Sequence, residues 1–541
     1  MHHCYRKAFA ALVASAISLV PPGSALAASD EFKTTTPIKH VVIIFQENVS
    51  FDHYFGTYPH AANLPGEIPF HAKEDTPRVN GLESAGLHTQ NPNSTKPFRL
   101  SPSQAVTCDQ DHDYGDEQKA FHGGLMDLFP ETVGVGGGPQ ATCPDFGKGP
   151  GLVMGYYDGN TVTALWNYAQ HFAMSDNSYS TTFGPSTPGA VNLISGNTFG
   201  ATLVPFAADG KTPGNPNGNI SGGLNFGAVI GDPRPGHDNC LLTPVLGTAK
   251  STRITLSGKN VGDLLNDNGV TWGWFQGGFA PTGKNADGSP ACGSASSTLL
   301  VPKFRDYIPH HEPFQYYKST SNPDHLSPSS ASAIGKTDQA NHQYDLQDFF
   351  TALANGNVPA VTFLKAKGVY DGHAGYSDPI DEQNFLVNTI NAIMQSKIWK
   401  DTAIIIAYDD SDGWYDHQMS PIILQSNVSD DELFGSGNCG APKATQPGGT
   451  AQNGRCGYGP RQPLLVISPY AKRNYVDHTI TDQSSILRFI EDNWSLGRIG
   501  DGSTDTIAGT LSGLFDFDDH PHAEKLTVNP ITGQVAQDEQ N

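Results

Sequence analysis

The sequence predicts an α/β fold in which a mostly parallel central sheet is sandwiched by helices. Short apolar runs rich in β-branched residues alternate along the chain with stretches of helical periodicity. Runs this short and this uniformly apolar are typical of strands buried on both faces of a parallel sheet. Strands that alternate with helices in this way indicate one α/β architecture. The predicted strands are residues 41–45, 270–275, 360–364, 403–408 and 463–468.

Helices are predicted between these strands from periodicity and from capping residues. Asp158 precedes a stretch of apolar residues at helical spacing, and Pro188 suits the first turn of another helix. Asp482 is placed to cap the last helix. Residues 56–151 are expected to form a long irregular region, because they are dense in Pro, Asn, Gly and His. The predicted helices are residues 162–172, one that begins near Ser186, and residues 261–266, 343–353, 381–395 and 482–494.

The first 27 residues have the organisation of a secretory signal peptide. Arg6 and Lys7 precede an apolar run, residues 8–20, and a small-x-small cleavage site ends at Ala27. The apolar run is too short to span a bilayer, so a retained membrane anchor is the less favoured alternative. We therefore expect cleavage after about Ala27 and a periplasmic or secreted mature protein without an integral membrane segment.

Composition indicates how the mature chain is organised and which partners are excluded. The 541 residues include 32 Lys and Arg against 54 Asp and Glu, which gives a formal net charge of −22. This acidic balance argues against nucleic acid as a partner. The 59 Gly and 39 Pro indicate long loops. We expect a single catalytic domain with loop insertions over residues 28–520 and a flexible tail over residues 521–541.

The cysteines predict disulfide bonds. Of the seven cysteines, Cys4 leaves with the signal peptide and six remain. An even number without a C-x-x-C pair, in an exported chain, indicates disulfides rather than a metal cluster. Several connectivities are possible, and we favour sequential pairing because each bond would then staple one loop rich in Gly and Pro. The favoured pairs are Cys108–Cys143, Cys240–Cys292 and Cys439–Cys456.

Oxygen ligands follow two of the predicted strands. Glu47 and Asn48 come directly after the first strand, and Asp409 and Asp410 directly after the fourth, with Asp412 just beyond. Ligands of open α/β sheets bind at the carboxyl ends of strands, and hard cations prefer carboxylate and amide oxygens. We therefore predict one shared cation site. Two alternatives also explain these residues. Glu47 and Asn48 could simply be polar residues where a strand ends, and the aspartates around Asp410 could form a structural calcium-binding loop.

A hydroxyl group and four histidines lie in other loops. Ser186 stands at or near the start of a helix, where backbone N–H groups stabilise an alkoxide or a phosphate. His112 is flanked by three Asp, which favour its protonated form. Plain capping would also explain Ser186, and a solvated acidic turn would explain His112. His310 and His311 are adjacent and point in different directions, so at most one is expected to face a given site, and His373 follows the third strand.

Together these residues fit the hydrolysis of a phosphate ester. A divalent cation offsets charge on the phosphoryl oxygens and lowers the pKa of an attacking hydroxyl, while imidazoles bind the phosphate or protonate the leaving oxygen. The ligand set predicts one divalent metal ion. Its identity stays open, because all-oxygen ligands suit Ca²⁺, Mg²⁺ or Mn²⁺ and related sites also take Zn²⁺.

Several motifs also resemble the bacterial phosphoesterase family. The run from His40 to Gly56 is similar to the opening signature of that family, which holds secreted acid phosphatases and phosphatidylcholine-type phospholipases C. The resemblance spans nearly the whole mature chain and implies a core like that of alkaline phosphatase. The other matching motifs are F-G-P-S-T-P-G at 183–189, H-H-E-P-F at 310–314, D-G-H-A-G-Y-S-D-P at 371–379 and Y-D-D-S-D-G at 408–413.

The resemblance implies a role for each candidate residue. Ser186 would be the nucleophile in two in-line displacements through a phosphoseryl intermediate. One histidine would protonate the leaving alcohol, and which one stays open. The implied metal ligands are Glu47, Asn48, Asp409, Asp410 and Ser186. The implied catalytic and phosphate-binding histidines are His112, His311 and His373, with His310 as a further substrate contact.

Departures from the family pattern favour one branch. The phospholipase branch tends to have Met before Glu-Asn, Arg after it, and Thr followed by Pro-Asn-Arg at the nucleophile, whereas this chain has Gln46, Val49, Ser186 and Pro188-Gly189. The favoured function is hydrolysis of small phosphate monoesters, as in acid phosphatases. The alternative is a phospholipase C that releases diacylglycerol and phosphocholine from phospholipid. The third and least favoured possibility is a protein that binds phosphate or metal without catalysis, because such a protein would not need Ser186 at the start of a helix.

Overall fold

The structure is a computed structural model, and a large mixed sheet forms its centre. From Thr34 onward the chain is one compact unit. The predicted signal peptide and Cys143 lie outside the described residues. No helix within the described part combines the length and the apolar character of a membrane span. The structure describes residues 33–134, 149–204, 218–223, 226–242, 252–286, 288–519, 521 and 525–536.

The helices and strands of the described residues are named in chain order. The helices are α1 (Phe51–Phe55), α2 (Tyr114–Phe121), α3 (Phe129–Thr132), α4 (Thr163–His171), α5 (Ser186–Ser195), α6 (Val261–Asp267), α7 (Leu346–Asn355), α8 (Pro379–Gln395) and α9 (Gln483–Trp494). The strands are β1 (His40–Gln46), β2 (Phe98–Arg99), β3 (Gly155–Tyr156), β4 (Ala173–Tyr179), β5 (Phe199–Leu203), β6 (Phe226–Ala228), β7 (Arg234–Pro235), β8 (Arg253–Leu256), β9 (Trp272–Gln276), β10 (Gly283–Lys284), β11 (Pro290–Ala291), β12 (Ala295–Ser296), β13 (Phe304–Arg305), β14 (Gln343–Asp345), β15 (Val361–Lys365), β16 (Thr402–Tyr408), β17 (Arg461–Ile467), β18 (Tyr475–Asp477) and β19 (Thr481–Asp482).

The central sheet has the strand order β14-β9-β15-β1-β16-β17-β4-β18, and β19 also pairs with β4. The strands from β14 to β16 are parallel to one another, and β1 lies between β15 and β16 with Ile43 opposite Phe363 and Ile405. The one reversal is β17, which is antiparallel to both β16 and β4. The predicted fold class, α/β with a mostly parallel sheet, is confirmed.

Both faces of the sheet are covered. Successive strand residues point to opposite faces, and every residue of β9, β15, β16 and β17 is buried. Helix α5 packs against α6 and α9, and α4 packs against α8. A strand with one exposed face alternates apolar and polar residues. These strands are buried on both faces, so they are apolar throughout and could be recognised in the sequence as short apolar runs.

The polar strand β4 was missed because its sequence is not apolar. Residues 173–179 read A-M-S-D-N-S-Y, yet Asp176 is buried. Its carboxylate is satisfied, since the backbone N–H of Asn80 donates to Oδ2 (2.8 Å) and His478 Nδ1 lies 2.7 Å from Oδ1. Hydrogen-bonded polar groups can be buried without penalty, and such strands carry no apolar signal. The expected irregular region likewise contains two helices, α2 and α3.

The C-terminal segment corrects the expectation of a flexible tail from residue 521. Residues 525–536 pack on the domain, and Val528 is only 1% exposed. The side-chain amide of Asn391 donates to the carbonyl of Val528 (2.7 Å), and that of Asn167 donates to the carbonyl of Gly533 (2.8 Å). Charge and polarity suggested a frayed end, but one apolar anchor and side-chain amides from α4 and α8 hold the backbone in place.

Two of the three favoured disulfides are present. Cys240 is bonded to Cys292, and Cys439 to Cys456, as sequential pairing predicts. Cys108 is also disulfide-bonded, but Cys143 lies outside the described residues, so that pair stays a prediction. The Cys240–Cys292 bond fixes the insertion that follows β9.

Arg461, the fully buried first residue of β17, joins residues that follow the neighbouring strands β1 and β16. Its Nη2 lies 3.0 Å from Asp416 Oδ2, after β16, and 3.3 Å from Asp52 Oδ1, in the helix after β1. The N–H of Asp52 donates to the same oxygen of Asp416 (3.1 Å). The guanidinium also lies over the ring of Phe51. Because an unpaired buried charge is costly, the three charges depend on one another.

We expect Arg461→Met to destabilise the protein by about 3–5 kcal/mol, because it leaves Asp416 as a buried carboxylate without its cation. Asp52 then keeps only His417, whose Nδ1 lies 2.6 Å from Asp52 Oδ2. Urea unfolding measures the loss. The control is Lys336→Met, at an exposed lysine, which should change the free energy of unfolding by less than about 0.5 kcal/mol. A loss below about 1 kcal/mol in Arg461→Met would contradict the dependence of the carboxylates on this cation.

Candidate active site

The candidate site lies where three parallel strands of the sheet end together. Glu47 and Asn48 follow β1, and Asp409 and Asp410 follow β16, which pairs with β1 on one side. The last residue of β15, on the other side of β1, is Lys365. Asn48 adopts a left-handed backbone conformation with φ of 51°, which Asn tolerates better than most residues, and its N–H donates to Asp409 Oδ1 (3.1 Å).

Three carboxylates form a buried acidic cluster at this edge. Glu47, Asp409 and Asp410 are each at most 1% exposed, and each offers an oxygen within 4.8 Å of the others. Burial and the charge of Glu47 raise the pKa of Asp409 to about 7. Burial and the charge of Asp409 raise the pKa of Asp410 well above its ordinary value. The cluster therefore holds more negative charge than its surroundings offset.

Lys365 provides the fixed positive charge of the cluster. Its Nζ contacts Glu47 Oε1 and lies 3.5 Å from Asp409 Oδ2, and the side chain is 1% exposed. Burial alone would lower the pKa of Lys365, but Glu47 and Asp409 raise it above its ordinary value. Burial alone would raise the pKa of Glu47, and Lys365 brings it below the ordinary value. Sequence reasoning missed Lys365, although a charged residue that ends an apolar strand is a usable signal.

Ser186 is the first residue of α5, after Pro185 at the N-cap, so its hydroxyl does not cap the helix. Its Oγ lies 3.1 Å from Glu47 Oε2 and 3.0 Å from Asp410 Oδ2, as a hydrogen-bond donor. Gly189 permits this approach, because a Cβ added there would lie 2.1 Å from the carbonyl oxygen of Asp409. Helix α5 thus packs directly against the backbone that follows β16, and this contact places the hydroxyl of Ser186 beside the acidic cluster.

His112 and His373 lie beside the cluster and face each other, with ring centroids 6.0 Å apart. Nδ1 of His112 lies 2.9 Å from the carbonyl of Gln110, and Nδ1 of His373 lies 2.6 Å from that of Ala374. Because a carbonyl only accepts, Nδ1 carries the proton in both rings and Nε2 is left for other partners. Burial alone would lower the pKa of His112, but Asp410 and then Asp412 raise it well above its ordinary value.

The adjacent His310 and His311 point to different surroundings, as expected. His311 is 2% exposed, and its Nδ1 lies 2.9 Å from Glu47 Oε1. Burial and the neighbouring His310 lower the pKa of His311 well below its ordinary value. His310 instead lines the cleft, with Nε2 3.9 Å from Asp232 Oδ2. All the predicted site residues therefore lie at one edge of the sheet, and their roles stay proposals.

The donor set fits a hard divalent cation. Oδ1 of Asn48 is buried without a hydrogen-bond partner among the described residues. The amide oxygen, the three carboxylates and the hydroxyl of Ser186 supply only oxygen, which is the chemistry that Ca²⁺, Mg²⁺ and Mn²⁺ prefer. The raised pKa values of Asp409 and Asp410 mark carboxylates that a nearby cation would return to the ionised state.

A cleft of about 560 Å³ opens beside these groups. The catalytic candidates His112 and His373 and the predicted substrate contact His310 are among the residues that line it. Its outer wall comes from β13 and the neighbouring residues of the insertion after β9, and Asp109 and Asp232 contribute carboxylates. The remaining residues that line the cleft are Arg234, Val301, Pro302, Lys303, Phe304, Arg305, Ile308, Pro309, Ala374, Gly375 and Tyr376.

The chain belongs to the phosphoesterase family, whose family model matches residues 38–497. The family resemblance predicted from the sequence motifs is thereby confirmed. The matched region includes every predicted site residue from Glu47 to Asp410 and both described disulfides.

Relatives and solved structures are similar at low identity. The non-hemolytic phospholipase C of Pseudomonas aeruginosa is 24% identical over 505 residues, which cover 92% of this chain and 60% of that protein. Phospholipase C B of Mycobacterium tuberculosis is 23% identical over 513 residues, 91% of this chain and 80% of that protein. The chain thus spans about three fifths of the Pseudomonas relative. A solved protein of the alkaline phosphatase superfamily from Vibrio parahaemolyticus matches with 13% identity and a TM-score of 0.25, over 72% of this chain and 67% of that chain.

We expect added Mg²⁺ or Mn²⁺ to raise the melting temperature of the protein after treatment with EDTA, because a ligand that binds only the folded state adds about 2.7 kcal/mol at about 100 Kd. Asp410→Asn should lose most of this gain. Asp267→Asn, at a side chain 61% exposed, is the matched control and should keep it. Calorimetry measures the change in melting temperature without depending on enzyme activity. An equal metal-induced change in both variants would mean that the ion binds elsewhere.

We expect Lys365→Met to lower the free energy of unfolding in EDTA by about 3–5 kcal/mol, because the cluster then lacks its only fixed partner charge among the described residues. Lys367→Met is the control two residues away: its Nζ pairs with Asp306 at 3.2 Å, but the side chain is 39% exposed, so the loss should stay below about 1 kcal/mol. Urea unfolding compares the two. Similar losses would mean that Lys365 does not stabilise the carboxylates.

Proposed function

We propose that this protein is an exported, metal-dependent phosphoesterase that hydrolyses phosphate monoesters through a phosphoseryl intermediate at Ser186. The observation that carries the proposal is the position of Ser186 Oγ, at the first turn of α5 and within 3.1 Å of two carboxylates of the acidic cluster. Histidines line the cleft beside it. A protein that only bound phosphate or metal would not need a hydroxyl in this place.

In the first step, the hydroxyl of Ser186 gives its proton to Asp410 Oδ2, 3.0 Å away, as Oγ forms a bond to phosphorus and the bond from phosphorus to the ester oxygen breaks. The backbone N–H groups at the start of α5 favour negative charge on the group bound there. His112 and His373 both line the cleft, and either is a candidate to give a proton to the leaving alcohol. For His112 this requires Nε2 to leave the amide nitrogen of Asn48, 3.4 Å away. In the second step, water attacks phosphorus, and Ser186 and inorganic phosphate are released.

Glu47, Asn48, Asp409, Asp410 and Ser186 would hold the metal ion. A bound divalent cation would offset phosphoryl charge and lower the pKa of the serine hydroxyl. Lys365 orients Glu47 and Asp409 towards this position, since its ammonium contacts one carboxylate and lies close to the other.

Phospholipase C is the second candidate function. It is supported by the names of the relatives from Pseudomonas aeruginosa and Mycobacterium tuberculosis. The cleft argues for small monoesters instead, because it is lined by three cationic side chains that oppose a choline headgroup. The two candidates share the nucleophile and the metal site, and they differ in the group that leaves.

We expect Ser186→Ala to lower turnover of p-nitrophenyl phosphate by at least about a thousandfold, because the variant lacks the atom that bonds to phosphorus. Ser195→Ala is the matched control. Ser195 is buried in the same helix, and its hydroxyl donates to the carbonyl of Val191 (2.8 Å) far from the acidic cluster. It should fold and keep its activity.

Retained turnover in Ser186→Ala would place the nucleophile elsewhere, with Thr187 the first to examine. Wild-type protein is assayed in parallel on p-nitrophenyl phosphate and on phosphatidylcholine vesicles. Faster release of phosphocholine would favour phospholipase C over the monoesterase. No cleavage of either substrate by folded, metal-supplied protein would overturn both.

A further inference from the structure

The outer wall of the cleft is positively charged. Lys303 and Arg305 come from the insertion after β9, and Arg234 faces them from β7. All three side chains line the same cleft. Burial lowers the pKa of Arg305, Tyr376 opposes this effect, and the like charge of Arg234 adds to it. A cleft lined by charges of one sign attracts ligands of the opposite sign.

Two of these cations, Lys303 and Arg305, are not neutralised by acidic neighbours among the described residues. No ion pair joins Lys303 or Arg305 to a carboxylate among the described residues. The two carboxylates of the cleft face other groups: Asp232 accepts hydrogen bonds from the N–H and Oγ of Thr187 (both 2.9 Å), and Asp109 belongs to the group that contains His112 and His373. A chain with a net charge of −22 thus leaves positive charge at the outer end of its candidate active-site cleft.

The wall is connected to the catalytic end by stacked rings. Phe304 stacks on Tyr376 with centroids 4.3 Å apart and planes 8° apart, and Tyr376 stacks on His373 at 4.2 Å. The guanidinium of Arg305 lies 5.2 Å from the centroid of Phe304. The stack fixes the position of Arg305 relative to His373, and so would set the distance between a phosphoryl group bound at His373 and a second anionic group bound at Arg305. It also occupies the aromatic faces that a quaternary ammonium would need.

The disulfide Cys240–Cys292 fixes the base of the wall. Cys240 packs with Phe279 and Tyr307, and the hydroxyl of Tyr307 donates to the buried Asp238 (2.6 Å). A rigid wall holds its charges in place before the substrate arrives, so little ordering is needed on binding.

We propose that Lys303, Arg305 and Arg234 bind a second anionic group, a carboxylate or a phosphate, on the alcohol part of the substrate. The inference rests on the proposed function and names the substrate class within it: phosphate monoesters whose leaving group is itself anionic. It excludes phosphocholine and phosphatidylcholine as preferred substrates, because the cationic wall repels a choline group.

The test compares kcat/KM for four probes: glycerol 3-phosphate, 3-phosphoglycerate, propane-1,3-diol bisphosphate and phosphocholine. At low salt, we expect kcat/KM for the two probes with a second anionic group, 3-phosphoglycerate and propane-1,3-diol bisphosphate, to exceed that for glycerol 3-phosphate by about tenfold, and kcat/KM for phosphocholine to fall below it. The preference should shrink towards unity as ionic strength rises, because partly exposed charges are screened. The carboxylate and phosphate probes show which second anion is preferred.

The test variant is Lys303→Gln/Arg305→Gln. In this variant, kcat/KM for 3-phosphoglycerate divided by kcat/KM for glycerol 3-phosphate should fall about tenfold, to near unity. Lys284→Gln is the matched control, an exposed lysine of the same insertion outside the cleft, and it should leave the ratio and its salt dependence unchanged. A merely structural role would alter all four substrates together without changing the ratio.

The outcomes separate this inference from the function on which it rests. Cleavage of monoesters with an unchanged ratio in the double variant, or a wild-type preference for phosphocholine, would overturn the inference and leave the phosphoesterase intact. Failure of the folded, metal-supplied protein to cleave any of the four probes or p-nitrophenyl phosphate would overturn the proposed function, and this inference with it.

Discussion

Buried negative charge at one edge of the sheet is the constraint on which the rest of the site depends. Glu47, Asp409, Asp410 and Asp371 are all at most 1% exposed, and burial followed by the charge of Glu47 raises the pKa of Asp371 well above its ordinary value. Two like charges about 4 Å apart repel by about 4 kcal/mol at an effective dielectric of about 20. Lys365 offsets part of this charge. A divalent cation bound at this edge would offset more, and its binding would then be coupled to folding.

Strand topology and one close backbone approach assemble this charge. Because β1 is parallel to both β15 and β16, the residues that follow three separate runs of sequence meet at one edge. Helix α5 reaches that edge only because Gly189 has no side chain. Glu117, whose pKa burial raises to about 7, joins the loop before Ser186 to the loop after Asp410 by accepting from the N–H of Gly184 (2.9 Å) and from Ser411 Oγ (2.6 Å).

Sequence patterns revealed the parts of the fold that depend on apolar burial and missed those that depend on pairing. The strands β1, β9, β15, β16 and β17 were predicted because both of their faces are apolar, and the acidic residues after β1 and β16 followed from the geometry of parallel strands. The polar strand β4 and the position of Lys365 were not predictable in this way. The first depends on hydrogen bonds to distant residues, and the second on the register of β15 beside β1. Neither is visible in local periodicity.

The proposed chemistry and the proposed selectivity of the cleft depend on different parts of the chain. The acidic cluster and Ser186 are fixed by the sheet and by α5, whereas the cationic wall belongs to an insertion held by Cys240–Cys292. The net charge of −22 repels an anionic substrate at long range, but over a Debye length of about 8 Å at physiological salt that repulsion is largely screened. Within the cleft, the proposed substrate would meet Lys303 and Arg305 at short range, where their attraction exceeds the screened repulsion of the distant acidic surface, although salt still weakens it. On this proposal, local charge and not net charge selects the anion.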